Sequence, residues 1–266
     1  MATTPSAATS HPIGSLVFGR LQESKYGSLA QFLVAPTVSC AILPPRSSLS
    51  KKIDPNEATT LGVAALTSIL AIAPYITEGK NDKVLINGGS GGTGTFSIQI
   101  AKALGCHVTV TCSTSKIQLC KSLGADEVID YTTVGDLCEA VKSKGKIYKL
   151  CVDNVGFPAG LYKAADEFLV EGGRFVQVGG GFSWEMVSST LSRVLRPRLL
   201  GGGRQKLEVF VIRHDVASLE RLASWVVEGK LRPVVEEVFP FERAVEAFEK
   251  LRSGRCYGKL VVRVGE

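Results

Sequence analysis

The sequence predicts an α/β fold organised on a doubly wound parallel sheet, and three observations predict it. From residue 80 onward, short runs rich in Val and Ile alternate with longer stretches of helical period, and Gly usually marks the join. Most of those runs are too apolar to leave one face in water, so helices must cover both faces. A turn with five glycines, Gly88-Gly89-Ser90-Gly91-Gly92-Thr93-Gly94, joins the first such run to the first such helix.

Taken in order, the strands fall at 83–87, 107–112, 127–130, 148–153 and 174–178. A sixth, 207–212, extends the sheet and offers an edge for a possible homodimer. The helix between the first two strands carries Phe96, Ile100 and Ala103 on one side and closes at Gly105; the next, 117–123, closes at Gly124. Glycine suits the left-handed residue that ends a helix. On the flanks, residues 28–44 alternate and hold turn residues, as in an antiparallel β region. Residues 55–72 are rich in Ala and Leu and read as a helix ended by Pro74. At the far end, 233–239 is a strand, 242–251 a helix with Ala244, Phe248 and Leu251 on one face, and 259–264 a closing strand. The two ends are expected to meet as one β-rich lobe beside the sheet.

With 45% hydrophobic and 21% charged residues, the chain has the balance of an ordinary soluble globular protein and not of a disordered one. No uninterrupted apolar run approaches the roughly eighteen residues that cross a bilayer, so no membrane span is expected. Residues 1–15 hold no Arg, Lys or apolar block; they match neither a secretory signal nor a mitochondrial presequence and read as a disordered tail. The seven cysteines (Cys40, Cys106, Cys112, Cys120, Cys138, Cys151, Cys256) form no C-x-x-C pair, which suits reduced thiols in the cytoplasm, or alternatively the mitochondrion. The formal charge of +6 comes from basic residues spread along the chain with few aromatics, a pattern that suits an anionic cofactor better than a nucleic-acid partner. One basic run, Arg193, Arg196, Arg198, Arg204 and Lys206 around Gly201-Gly202-Gly203, reads either as a loop near a cofactor or as a solvated linker.

Gly89, Gly91 and Gly94 match G-x-G-x-x-G directly after a strand and at the start of a helix, the context a Rossmann dinucleotide site requires. Gly89 would permit the tight turn, Gly91 would leave no side chain before a pyrophosphate, and Gly94 would let helix and strand approach. The amides of Ser90, Gly92 and Thr93 complete the cradle at a helix N-terminus; a glycine loop without a ligand is the other reading. The tip of the second strand, Cys112-Ser113-Thr114-Ser115-Lys116, lacks the carboxylate that binds the ribose hydroxyls of NAD. Hydroxyls and a lysine at Ser113, Thr114, Ser115 and Lys116 suit the 2′-phosphate of NADPH, although Ser113 and Thr114 also fit as caps of the next helix.

The glycine turn occurs with Gly27-Ser28-Leu29-Ala30-Gln31-Phe32, Leu61-Gly62-Val63-Ala64-Ala65-Leu66-Thr67, Leu123-Gly124-Ala125-Asp126, Val152-Asp153-Asn154-Val155-Gly156 and Gly258-Lys259-Leu260-Val261 in order. This series resembles the zinc-independent, quinone oxidoreductase-like branch of the medium-chain dehydrogenase/reductase superfamily, in particular fungal members similar to reticulon-interacting mitochondrial oxidoreductases. The resemblance implies a Rossmann domain at 56–215 and a partial GroES-like lobe from 16–55 and 216–266. It places Thr67, Asn154, Val178, Gly179, Phe210, Val211, Ile212 and Lys259 toward the nicotinamide half of the cofactor and Tyr131 near the adenosine 2′-phosphate. Plain strand packing for Val178, Phe210 and Ile212, and a surface position for Tyr131, are the competing readings. It implies hydride transfer from NADPH to a small electrophilic substrate such as a quinone, enone or enoyl thioester, with no metal; no catalytic acid is assigned. Full-length members begin with a β-rich segment absent before Leu16, so an NADPH-binding protein of impaired activity, acting as sensor or partner, is the alternative.

Overall fold

The computed structural model describes residues 11–21, 27–43, 53–179 and 206–265. Residues 1–10 of the expected tail and the basic run from Arg193 to Arg204 lie outside the described residues. In chain order the elements are β1 (Val17–Gly19), β2 (Cys40–Ile42), α1 (Pro55–Ala58), α2 (Leu66–Ile72), β3 (Lys83–Asn87), α3 (Gly92–Ala103), β4 (His107–Cys112), α4 (Ile117–Ser122), β5 (Glu127–Asp130), α5 (Leu137–Lys142), β6 (Tyr148–Asp153), α6 (Ala165–Phe168), β7 (Leu169–Gln177), β8 (Lys206–Val209), α7 (Val216–Val227), β9 (Val235–Pro240), α8 (Ala244–Arg252) and β10 (Lys259–Arg263). They form two compact units, one from Met1–Thr67 with Ile212–Glu266 and one from Ser68–Val211.

The second unit is a six-stranded sheet in the order β5-β4-β3-β6-β7-β8. Every pair is parallel. The order reverses between β3 and β6, the topological switch point at which open α/β sheets leave a crevice beyond their strand ends. The strands are apolar on both faces because both are covered, as the sequence requires. On one face Leu85, Cys151 and Phe175 pack with Val141 of α5 and Phe168 of α6. Edge-to-face ring contacts, Tyr148 on Phe168 at 6.1 Å and Tyr162 on Phe175 at 5.2 Å, add to that cluster. Helix α3 packs against β3 and β4. Its chain turns back at Gly105, whose φ of +79° is the left-handed conformation expected of the closing glycine.

Strand β7 starts at Leu169, earlier than the pattern predicts, because Tyr148 pairs with Leu169 while Leu150 pairs with Arg174. The additional residues bulge out at Gly172, whose φ of +73° breaks the alternation that sequence reading depends on. Strand β8 is shorter than expected and ends at Val209.

In the first unit, β1 and β2 pair antiparallel and β10 pairs with β9 in parallel, as two separate ribbons. Helix α7 packs against β2 and the helical turn Leu61–Ala65, and α1 packs against β9, so helices hold the ribbons together. The unit is thus less β-rich than expected. Of the predicted β region at 28–44, the described residues form strand only at Cys40–Ile42; Phe32 and Val34 are exposed, so the alternation there has no sheet to match. Gly62 lies so close to β1 that a Cβ would stand 1.8 Å from the Gly19 oxygen, a contact only glycine permits.

The helical run Pro55–Tyr75 starts with the Asp54 carboxylate accepting from the Asn56 amide at 2.7 Å and with Pro55 in the first turn. By length and composition alone, with 21 residues and mean hydropathy 1.5, it would pass for a membrane span; its α-helical part ends at Ile72, and Pro74 falls in the 3-10 turn that closes the run, as the sequence predicts. Two thirds of its most apolar stretch is buried, as in a core helix. The face predicted for α8 also differs: Ala247 points inward while Phe248 and Leu251 are exposed.

Truncating Phe168 to Ala removes a fully buried ring from the cluster under α6. The expected cost is about 3–5 kcal/mol, read from urea unfolding. Phe248→Ala, on the exposed face of α8, is expected to stay within about 0.5 kcal/mol of the parent.

Candidate functional site

Strands β3, β6 and β7 each end in a polar residue near the switch point, and β4 has Thr111 one residue before its end. Register pairs Asn87 with Asp153 and Asp153 with Gln177. All three are buried, as is Thr111 on β4. The Asn87 amide joins them: its Oδ1 accepts from Thr111 Oγ1 at 2.6 Å, and its Nδ2 donates to Asp153 Oδ1 at 2.8 Å and to the Phe157 carbonyl at 2.9 Å. Asp153 Oδ1 also accepts the amides of Val155 at 3.0 Å and Gly156 at 2.8 Å, which folds the chain after β6 across the strand ends. Sequence reading did not single out Asn87, Thr111 or Asp153 as a set. Their signal was a polar residue at or next to the end of each of several apolar strands.

The glycine turn rests on this row. The Gly88 amide donates to Thr111 Oγ1 and the Gly89 amide to the Thr111 carbonyl, both at 2.9 Å. Gly88, at φ +80°, makes the turn that the sequence had assigned to Gly89. Gly89 is required for space instead: a Cβ there would meet Val110 Cβ at 2.9 Å. At Gly94 a Cβ would meet the Gly88 oxygen at 2.0 Å, so helix and strand can close together only without it. Gly91 differs, since the nearest atom to its missing Cβ is the Gly88 oxygen at 3.8 Å and the space in front of the helix is open. No side chain caps α3, and the first intrahelical bond is from the Thr95 amide to the Gly91 carbonyl. The amides of Gly92, Thr93 and Gly94 therefore face out of the N-terminus, where the helix dipole favours an anion. A dinucleotide pyrophosphate fits this open, uncapped cradle. Ser90 and Thr93 are half-buried beside it, and the Thr93 carbonyl accepts from the Ser68 and Ser97 hydroxyls.

At the tip of β4, Ser113 precedes the turn Thr114–Lys116 but makes no side-chain cap. Its hydroxyl lies 3.4 Å from that of Ser115. Thr114 donates to Asp130 at the end of β5, and its hydroxyl is 2.9 Å from that of Thr132. The capping alternative for these two residues is thus not what the turn uses. Asp130 went unnoticed in the sequence because it belongs to the next strand; hydrogen bonds from Thr114 and then Thr132 hold its carboxyl below the usual carboxylate range. Lys116 ends the turn, half-buried. Tyr131 is brought alongside by its amide, which donates to the Cys112 carbonyl at 3.2 Å, with its ring half exposed.

On the other side of the switch point, the amides of Val178 and Gly179 both donate to the Asp153 carbonyl at 2.9 Å. A Cβ on Gly179 would stand 1.9 Å from the Asn154 oxygen, so these two segments touch through backbone. Phe210 donates its amide to the Gln177 carbonyl at 2.9 Å, and Val211 beyond it is exposed. The structure therefore gathers Gly89 to Gly94, Ser113 to Lys116, Tyr131, Asn154, Val178, Gly179, Phe210 and Val211 in the second unit, at one end of one sheet. Thr67, Ile212 and Lys259 belong to the first unit. There Thr67 is buried in α2, the Ile212 carbonyl accepts from Arg20 at 3.4 Å, and burial lowers the pKa of the Lys259 ammonium. Among the described residues, no group of three or more His, Cys, Asp or Glu side chains is arranged to hold a metal.

Residues 123–262 match the family of zinc-binding dehydrogenases. The chain belongs to the medium-chain dehydrogenase/reductase superfamily. It is 41% identical over 257 residues to the trans-enoyl reductase pgmF of Aspergillus terreus, covering 95% of this chain and 70% of that protein. It is 34% identical to the mitochondrial NAD(P)H oxidoreductase RTN4IP1 of Danio rerio, covering 95% and 67%. Among solved structures, the quinone oxidoreductase from Coxiella burnetii superposes with a TM-score of 0.71 at 26% identity, over 87% of this chain and 66% of that one. The chain thus spans about two thirds of the length of these relatives, and as a family member it is an oxidoreductase.

Asp153→Ala removes the acceptor of three donors at once. It is expected to lower stability by about 2–4 kcal/mol in urea unfolding, whereas Asp153→Asn, which keeps one acceptor oxygen, retains most of it.

Proposed function

We propose that this chain is an NADPH-dependent reductase that passes hydride to an electron-poor acceptor of the quinone, enone or enoyl thioester class, without zinc. The observation that carries the reading is the asymmetry of the glycine turn: Gly89 and Gly94 are closed by packing while Gly91 opens onto uncapped helix amides. In this reading the turn from Gly89 to Gly94 holds the pyrophosphate. Ser113, Ser115 and Lys116 receive the 2′-phosphate, with Tyr131 beside the adenosine. Asn154, Val178, Gly179, Phe210 and Val211 border the nicotinamide half. The nearby Asp130 carboxylate accepts from Thr114 and Thr132, which leaves Ser113, Ser115 and Lys116 as the groups at the β4 tip for the phosphate. The first unit is the partial GroES-like substrate lobe.

When bound, the reduced nicotinamide supplies the hydride, so the protein's part is orientation. The turn fixes the pyrophosphate through backbone that the Asn87 row holds rigid. The strand ends beyond the switch point then set where the other half of the molecule lies. The acceptor class is drawn from relatives named for enoyl reduction and NAD(P)H oxidation.

Fluorescence titration with NADPH and with NADH, followed by a small quinone and an enoyl thioester, tests the proposal. Expected is tighter binding of NADPH and loss of reduced-nicotinamide absorbance on adding one of the acceptors. Tight binding without oxidation would favour the sensor or partner role, and failure to bind either nucleotide sinks the reading. Lys116→Ala is expected to weaken NADPH about tenfold, roughly 1.4 kcal/mol, and to leave NADH unchanged.

A further inference from the structure

Of the row of polar residues that closes the central strands, Gln177 alone keeps an unanswered atom. Thr111, Asn87 and Asp153 each find partners within the row, whereas Gln177 Oε1 is buried without one. The residue is only 4% exposed. Its Nε2 reaches the Gly179 carbonyl at 3.5 Å, the outer limit of a hydrogen bond. Asn154, which follows the Asp153 that pairs with Gln177, also has both side-chain amide atoms buried without partners. Buried amides are ordinarily satisfied, and leaving three such atoms idle at the ends of two adjacent strands is costly. The cost has a use if a ligand supplies the missing groups.

Position decides which part of a ligand. Gln177 and Asn154 stand at the ends of β7 and β6, across the switch point from the β4 and β5 tips that carry Ser113, Lys116 and Asp130. In a doubly wound sheet the two halves of a dinucleotide lie on opposite sides of that point. One acceptor on Gln177 and a donor with an acceptor on Asn154 match groups that both give and receive hydrogen bonds, as sugar hydroxyls and a primary carboxamide do.

We infer that Gln177, together with Asn154, recognises the nicotinamide riboside half of the dinucleotide, Gln177 Oε1 accepting a hydrogen bond from a ribose hydroxyl or from the carboxamide. The inference rests on the proposed cofactor reading and adds a specificity residue to it.

The test compares Gln177→Leu and Gln177→Glu with the parent chain, measuring dissociation constants for NADPH, 2′-phospho-ADP-ribose and 2′,5′-ADP, and the melting temperature without ligand. For Gln177→Leu, NADPH should bind about tenfold more weakly while 2′,5′-ADP, which lacks the nicotinamide half, binds as before. The ligand-free melting temperature should not fall, because leucine removes an unsatisfied atom and forfeits only a marginal contact. Gln177→Glu, which keeps an acceptor, should recover part of the NADPH affinity. If 2′-phospho-ADP-ribose weakens in step with NADPH, the ribose is the partner; if it does not, the carboxamide is. Equal weakening of 2′,5′-ADP, unchanged NADPH affinity, or a drop in ligand-free melting temperature would each overturn the inference. A parent chain that binds none of the three removes the cofactor reading itself and the inference with it, an outcome distinct from a parent that binds all three and a variant that does not discriminate.

Discussion

The side-chain amide of Asn87 is the constraint on which the rest of the site depends. Its oxygen and nitrogen face opposite neighbours, Thr111 on β4 and Asp153 on β6, so one planar group sets the spacing of the strands on either side of the switch point. Thr111 passes that constraint to the glycine turn through the Gly88 amide, and Asp153 passes it to the loop at Val155 and Gly156. In a low-dielectric setting such linked bonds reinforce one another, and each is expensive to lose. A backbone cradle needs such support, because bare amides can recognise an anion only if they are already aimed when it arrives.

The support works because of what lies beneath it. Immediately under the polar row, Leu85, Cys151 and Phe175 form the apolar layer shared with α5 and α6. The transition from that layer to the row takes one step along each strand, two residues on, with side chains pointing to the same face. Water is excluded from below, and the polar groups must then satisfy one another. Burial raises the thiol pKa of Cys151 well above its usual value, which keeps that layer chemically inert as well as dry.

Where a strand was apolar from end to end and flanked by glycine, the sequence showed its limits: β3, β4, β5 and β6 have the expected bounds, because burial on both faces leaves no alternative use for such runs. The glycine turn was legible for the same reason, since few other contexts call for glycines in that spacing. Less visible were features set by contacts distant in sequence. The early start of β7 depends on which residue of β6 it meets, the hydroxyl of Thr114 is claimed by a carboxylate from another strand, and the outer face of α8 is apolar by pattern but exposed in fact. Gln177 was hidden because a polar residue ending a strand looks like a boundary marker until its neighbours are known.

The division of the chain bears on how the molecule is made. Ser68–Val211 is one continuous stretch and brings all six strands of its sheet with it, so it can assemble as it leaves the ribosome. The other unit needs both Met1–Thr67 and Ile212–Glu266, and its β9–β10 ribbon is completed only by Lys259–Arg263, the last strand in chain order. Until then Phe18 and Leu61, buried in the finished fold, lack part of the unit that encloses them. During translation the segment that precedes the sheet is therefore sheltered only after the segment that follows the sheet has been made.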